Sequence, residues 1–195
     1  MQDKEKKHIK INKIDRNSEG HPYKKDYNQN YKKSQNNQCE ISIIIPLFNE
    51  EESLKELHQQ IKNQLEIINI TNYEIIFIND GSTDNSLEII RQIHYENPNV
   101  HCISFRRNYG KSAALAVGFK HARGKYVITM DADLQDDPAE IPNLINKLNE
   151  GYDVVSGWKK QRYDPISKTL PSKLFNAVTS ITSGIKLHDF NCGLK

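Results

Sequence analysis

The segment Met130-Asp131-Ala132-Asp133-Leu134-Gln135 is the sharpest chemical feature of the chain. While a backbone stays extended, positions i, i+2 and i+4 point to one side. Asp131, Asp133 and Gln135 would then present two carboxylates and an amide oxygen together. Carboxylates that close repel each other unless a cation lies between them. An all-oxygen set suits a hard divalent ion, Mg2+ or Mn2+, with positions left open for water and phosphate oxygens. Asp136 and Asp137 suffice to cap the helix that opens near Pro138, which leaves Asp131 and Asp133 without a structural task.

Three other stretches carry usable groups. In Ile78-Asn79-Asp80-Gly81-Ser82-Thr83-Asp84, Gly81 permits a turn with unusual dihedrals, and Asp84 or Ser86 can cap the next helix. Asp80 is then left facing outward, as a partner for a base or ribose or as a turn-stabilising carboxylate. In Pro46-Leu47-Phe48-Asn49-Glu50-Glu51-Glu52, Glu51 and Glu52 are what a helix macrodipole favours in a first turn. Phe48 could pack on a nucleoside base or plug a sheet edge. Arg106, Arg107 and Lys111 are placed to meet phosphate, with one of them expected to pair with the carboxylates and another to sit in solvent.

The elements that must position these groups follow from periodicity. Ile41–Ile45 is a β-branched run stopped by Pro46 and reads as a buried strand. Glu51–Ile68 spaces Leu54, Leu57, Ile61, Leu65 and Ile68 as one helical face. Strands at Tyr73–Ile78, Val100–Phe105, Tyr126–Met130 and Tyr152–Ser156 alternate with helices at Ser86–Tyr95, Ser112–His121 and Pro138–Leu148, and Lys168–Ile181 reads as a further helix. Strand–helix alternation with short connections predicts right-handed crossovers and an α/β fold, a mainly parallel sheet covered on both faces. Ligands of such sheets lie beyond the carboxyl ends of the strands, where all four segments fall.

Composition sets limits. Residues 1–39 hold ten Lys/Arg and five Asp/Glu, a balance of +5; the whole chain is +2, so residues 40–195 carry −3. The folded part is therefore mildly acidic, which argues against a nucleic-acid partner. The basic tail, residues 1–39, has few aliphatic residues and is expected to be disordered. With a mean hydropathy of −0.73, the chain has no apolar run of membrane-spanning length and no signal-peptide core. Cys39, Cys102 and Cys192 are odd in number and widely spaced, as in a reducing compartment. A dinucleotide fingerprint is missing, because no glycine lies between Gly20 and Gly81. A P-loop fails too, since Phe105 stands where Gly110-Lys111 would require a first glycine.

Taken together, SIIIPLFNEE (residues 42–51), EIIFINDGSTD (74–84), RNYGK (107–111), GKYVITMDADLQDDP (124–138) and DFNCGL (189–194) resemble the family 2 inverting glycosyltransferases. The similarity is greatest to the polyprenyl-phosphate branch, which includes dolichyl-phosphate mannose synthase, and covers residues 40–195. It implies a Rossmann-like GT-A fold, a catalytic domain over 40–195 that is incomplete at its C-terminus, a nucleoside-diphosphate sugar donor and a divalent cation. It also implies roles by position: Pro46, Phe48 and Glu50 line the nucleotide, Ile78 and Asp80 hold base and ribose, and Ala132 touches the donor. Asp131 and Asp133, the expected catalytic pair, match the metal site together with Gln135. Where the family has Arg after a Ser-Gly-x element, this chain has Lys159, which keeps the charge and loses the bidentate fork. The expected reaction moves a hexose to a polyprenyl phosphate at the cytoplasmic face of a membrane, with membrane contact made through the missing C-terminal part. A glycan or glycolipid hydroxyl acceptor, which would need His188 or Asp189 as base, and a non-catalytic nucleotide-sugar-binding module are the alternatives.

Overall fold

The computed structural model describes residues 39–157 and 193–195, together with the backbone of Lys10–Ile11. The expected tail, apart from that pair, lies outside the described residues, as do the helix at 168–181, Cys192, Lys159, His188 and Asp189. In chain order the elements are β1 (Lys10–Ile11), β2 (Ile41–Leu47), α1 (Leu54–Ile67), β3 (Tyr73–Asn79), α2 (Ser86–Glu96), β4 (Val100–Ser104), α3 (Lys111–His121) and β5 (Tyr126–Thr129). A 3-10 turn (Pro138–Glu140), α4 (Ile141–Asn149) and β6 (Val155–Ser156) follow. They divide into two units, 15–139 and 1–14 with 140–195.

In the first unit, β4-β3-β2-β5 form a four-stranded parallel sheet. Every residue of β2 is buried, as the continuous apolar run requires of a strand covered on both sides. The chain steps from β2 to β3 to β4 and then returns across both to β5. Right-handed crossovers therefore put α1 and α2 on one face and α3 on the other. Alternation along the strands sends Ile41, Ile43, Ile45, Ile75 and Phe77 toward the first face, all at 0% exposure. There α1 buries Leu54, Leu57, Ile61 and Leu65, and α2 buries Ile90 and Ile93. On the second face Ile44, Ile76 and Ile78 pack with Ala114 of α3. Such a side chain contributes about 1.5–3 kcal/mol on full burial, before entropy is counted. Gly118 brings α3 tight against the sheet, since a Cβ there would lie 2.4 Å from Ile44 Cγ2. The small-residue composition of α3 thus reflects close approach to a β-branched strand.

One expectation for this unit needs correction. Pro46 does not stop β2, which runs on to Leu47 and pairs with β3 as far as Leu47↔Asn79. The proline ends only the pairing with β5, at Ile44↔Thr129. Alternate β2 residues turn their amides toward alternate neighbours, and the Met130 N–H bonds to the Ile44 carbonyl at 3.1 Å. Pro46 is therefore the next residue to face β5, and it has no N–H to give. Beyond that point β2 and β5 part.

The second unit holds α4, which buries Ile141, Leu144 and Ile145, and β6, which pairs antiparallel with β1. The expected fifth parallel strand at Tyr152–Ser156 is thus only Val155–Ser156, in a two-stranded ladder of its own. A short apolar run specifies a strand but not its partner. The helix expected from Pro138 begins as a 3-10 turn for a local reason. A continuous α-helix would need the Pro142 nitrogen to donate to the Pro138 carbonyl, and it cannot. Among the described residues no helix is long and apolar enough to cross a membrane.

Candidate active site

The loops after β2 and β3 are tied together by side chain to backbone bonds. Asn49, in the left-handed region at φ 56, donates its N–H to Ser82 Oγ at 2.9 Å and accepts the Thr83 N–H on Oδ1 at 2.8 Å. The Glu50 N–H bonds to Ser86 Oγ at 3.0 Å, and the Glu51 N–H to Asp84 Oδ2 at 3.1 Å. Glu51 answers by accepting the Asn85 N–H at 2.8 Å, while Asp84 Oδ1 takes the Ser86 N–H at 3.0 Å. The residues at the two N-cap positions, Ser53 and Asn85, make no side-chain cap bond. The capping expected of Asp84 is therefore real, and Glu51, expected to serve only the macrodipole, also reaches across to the facing loop. Burial alone would raise the Asp84 pKa; hydrogen bonds from Ser86 and the Glu51 N–H outweigh it and hold the group below its ordinary value.

Asp80 sits at the end of β3, 4% exposed. Its N–H bonds to the Leu47 carbonyl, and its two oxygens accept the Tyr109 N–H at 2.7 Å and the Gly110 N–H at 2.8 Å. The carboxylate thus anchors the 105–110 loop, leaving one lone pair on each oxygen for another donor. Gly81 makes that approach feasible: it has φ 75, and a Cβ there would lie 2.4 Å from the Arg107 carbonyl carbon. Arg107 lays its guanidinium over the Tyr109 ring at 4.9 Å, and Arg106 is exposed. Of the three basic residues it is Lys111, the first of α3, that pairs with a carboxylate, donating Nζ to Asp131 Oδ1.

The acidic segment departs from the extended geometry expected of it. β5 ends at Thr129, and residues 131–135 turn, with Leu134 at φ 60. The turn is made by the acids themselves. Asp136, 3% exposed, accepts the Asp131 N–H at 3.2 Å, and Asp133 Oδ1 accepts the Gln135 N–H at 3.0 Å. Asp137 caps the following turn through the Ala139 N–H at 3.0 Å. Asp136, expected as a cap, is thus the residue that fixes the Asp131 backbone.

Where β2 and β5 part, a cavity of about 250 Å3 opens. One wall is Pro46, Leu47, Phe48 and Glu50; Asp131, Ala132 and Asp133 form a second; Asp80, Asn108, Gly110, Lys111 and Ala114 close it. It lies beyond strand ends, where connections to either side run in opposite senses, the usual ligand position in open parallel sheets. Most of the residues singled out from the sequence therefore converge on one cleft. Two do not. Ile78 is fully buried in the core with Ile44 and Ala114, and Gln135 is not among the residues lining the cleft. Asn108 and Gly110 lie within the RNYGK motif but neither residue type announces a role there, and Ala114 carries no signal, because their place depends on how Asp80 folds the 105–110 loop.

The cleft is charged unevenly, with Glu50, Asp80, Asp131 and Asp133 against Lys111. Burial raises the Glu50 carboxyl above its ordinary value, and Asp133, Asp84 and Asp131 push it further. An adjoining hollow of about 620 Å3 is walled by Glu50, Glu51, Glu52, Asp84 and Asp133. A phosphate group would thus be repelled on that side and drawn toward Lys111. Among the described residues no three His, Cys, Asp or Glu side chains converge to hold an ion unaided. Two partly exposed carboxylates facing open space are nevertheless what Mg2+ or Mn2+ uses when substrate phosphates and water complete its shell. The donor set at Asp131 and Asp133 fits such an ion.

Known proteins share this fold. Glucosyl-3-phosphoglycerate synthase from Mycobacterium tuberculosis, solved with uridine diphosphate, superposes with a TM-score of 0.56 at 19% identity, over 80% of this chain and 55% of that one. The mannosyltransferase PcManGT from Pyrobaculum calidifontis, solved with GDP-Man and Mn2+, gives 0.50 at 23% identity over 57% of this chain and 32% of that one. The fold is accordingly the α/β GT-A fold of glycosyltransferases. In sequence, the undecaprenyl-phosphate 4-deoxy-4-formamido-L-arabinose transferase of Shewanella sediminis (strain HAW-EB3) is 41% identical over 157 residues, 80% of this chain and 47% of that protein. This chain thus spans about half the length of that relative. The model of glycosyl transferase family 2 matches residues 42–192, and the chain belongs to that family.

Proposed function

We propose that the chain is the donor-binding part of a metal-dependent, inverting glycosyltransferase that moves a sugar from a nucleoside-diphosphate carrier to a polyprenyl phosphate. The observation that carries this reading is the meeting of Asp131, Asp133, Glu50, Asp80 and Lys111 around one cleft at the parting of β2 and β5. The likeness to a relative named for undecaprenyl phosphate supports the acceptor class. That relative is named for a formamido-arabinose, so such a donor stands beside the hexose expected from the sequence.

In this reading Asp131 and Asp133 hold Mg2+ or Mn2+, which supplies positive charge opposite the departing diphosphate. Phe48, 43% exposed, and Pro46 offer an apolar wall to the base. The remaining lone pairs of Asp80 accept from base or ribose, and Lys111 presents its ammonium to diphosphate oxygens. A phosphate acceptor is anionic near neutral pH and attacks the anomeric carbon without a general base, from the side away from the diphosphate, inverting the centre. Such an acceptor places the protein at the cytoplasmic face of a membrane.

The test is transfer of radiolabelled sugar from a panel of nucleoside-diphosphate hexoses and a formamido-arabinose donor. Polyprenyl phosphate is compared with glycan hydroxyl acceptors, in Mn2+ and in chelator. Polyprenyl-linked product that needs the ion is expected. Product only on hydroxyl acceptors would refute the acceptor, and donor binding without any turnover would leave a binding module.

A further inference from the structure

We propose that Lys111 is a resident counter-ion, which holds Asp131 in the ligand-free protein, yields that carboxylate to a divalent ion and then serves the donor's diphosphate, so that ion and donor bind cooperatively. The proposal rests on the reading of Asp131 and Asp133 as metal ligands.

The root of the side chain is held by backbone bonds, while its tip pairs with Asp131 in contact with solvent. Gly110, immediately before Lys111, donates to Asp80 at 2.8 Å, and its carbonyl accepts the Ala113 and Ala114 N–H groups at 3.0 and 3.2 Å. The Lys111 side chain beyond that anchor is 52% exposed, and its partner Asp131 is 33% exposed. An ion pair so open to water is weak and exchanges readily. Lysine suits the exchange, because a compact ammonium on a flexible stem can change partners where an arginine fork would lock onto the carboxylate.

Charge supplies the direction. The cleft lining has four carboxylates and one ammonium, so a diphosphate cannot enter favourably without added cation. An ion on Asp131 and Asp133 would stand within a few ångströms of the Lys111 ammonium and repel it. Diphosphate oxygens bound to that ion give the ammonium a new partner on the same side of the cleft. Each ligand then favours the other, and the coupling is reciprocal.

Titration calorimetry of the whole chain tests this, with Mn2+ alone and then with inorganic pyrophosphate in saturating Mn2+. Lys111→Met is expected to bind Mn2+ about fivefold tighter, because the competing ammonium is gone. It should bind pyrophosphate about tenfold weaker, because the charge-assisted contact is lost. Lys111→Arg should shift Mn2+ affinity the other way, below wild type. Equal Mn2+ affinity in wild type and Lys111→Met would overturn the counter-ion role while leaving the metal site standing. Tighter Mn2+ with unchanged pyrophosphate would overturn the handover. Absence of Mn2+ binding in both proteins, each shown folded by its thermal transition, would remove the metal site and the proposal together.

Discussion

The same four-stranded sheet carries carboxylates at both ends, and the two ends treat them in opposite ways. At the amino ends of the strands, Glu74 is buried and fully served. Ser42 Oγ donates to Oε1 at 2.5 Å, the Arg123 N–H to Oε1 at 2.7 Å, and the Arg123 guanidinium to Oε2 at 2.9 and 2.8 Å. Ser42 in turn takes the Gly124 N–H at 2.7 Å. Burial alone would raise the Glu74 pKa, but these donors outweigh it and the net shift is downward. At the carboxyl ends, burial and three neighbouring acids push Glu50 up, and within the cleft lining Lys111 is the one basic side chain. A carboxylate that the protein satisfies stabilises the fold. A group of carboxylates crowded toward open space raises the free energy until a cation arrives, which is how functional sites commonly depart from local optimisation.

Substitutions at the two ends should therefore separate activity from stability. Asp133→Asn is expected to lower transfer at least about a hundredfold, by weakening the ion that stabilises leaving-group charge. Asparagine keeps an oxygen for the Gln135 N–H, so the unfolding free energy should stay within about 0.5 kcal/mol of wild type, as for other exposed sites. Retained activity in that variant would erase the contrast. Glu74→Ala should do the reverse, costing about 2–3 kcal/mol in urea unfolding because Ser42 and the Arg123 N–H lose a buried acceptor. Mn2+ binding per folded molecule should not change. A loss of Mn2+ affinity with intact stability would show that the ends are not independent.

Gly81→Ala tests the joint between β3 and the 105–110 loop. A side chain at φ 75, against the Arg107 backbone, should cost more than about 1 kcal/mol and weaken ligand binding by freeing the loop from Asp80. The smallest effect is the response to pH. Glu74 has a lowered pKa, so its contribution is present above the unfolded-state value and is lost as pH falls through the folded-state value. Glu50 has a raised pKa, so its contribution is present below the unfolded-state value and is lost as pH rises through the folded-state value. Glu74→Gln should accordingly flatten the acid limb of stability against pH. Glu50→Gln should stabilise the protein near neutrality, with a benefit that fades on acidification, and Mn2+ should reduce that benefit.

Local sequence was enough for the alternation of strands and helices in residues 41–129, because buried parallel strands and one-sided helices leave period signatures in their own residues. The order of the motifs likewise sufficed for the family, and it pointed to the strand ends where the cleft opens. Pairing lay beyond it. Val155–Ser156 reads as a strand whether its partner is β5 or Lys10–Ile11, and Pro46 reads as a stop until its missing amide is known to face β5 and not β3. Conformation within the acidic turn depended on Asp136 reaching back to Asp131, which replaced an extended ligand row with a loop. Only the folded chain decided that Asp80 would anchor Tyr109 and Gly110, that Ile78 would enter the core, and that Lys111 would be the base to find Asp131. Each of these outcomes joins residues far apart in the chain, and contacts of that kind follow from how the sheet is wound, not from the composition of any one segment.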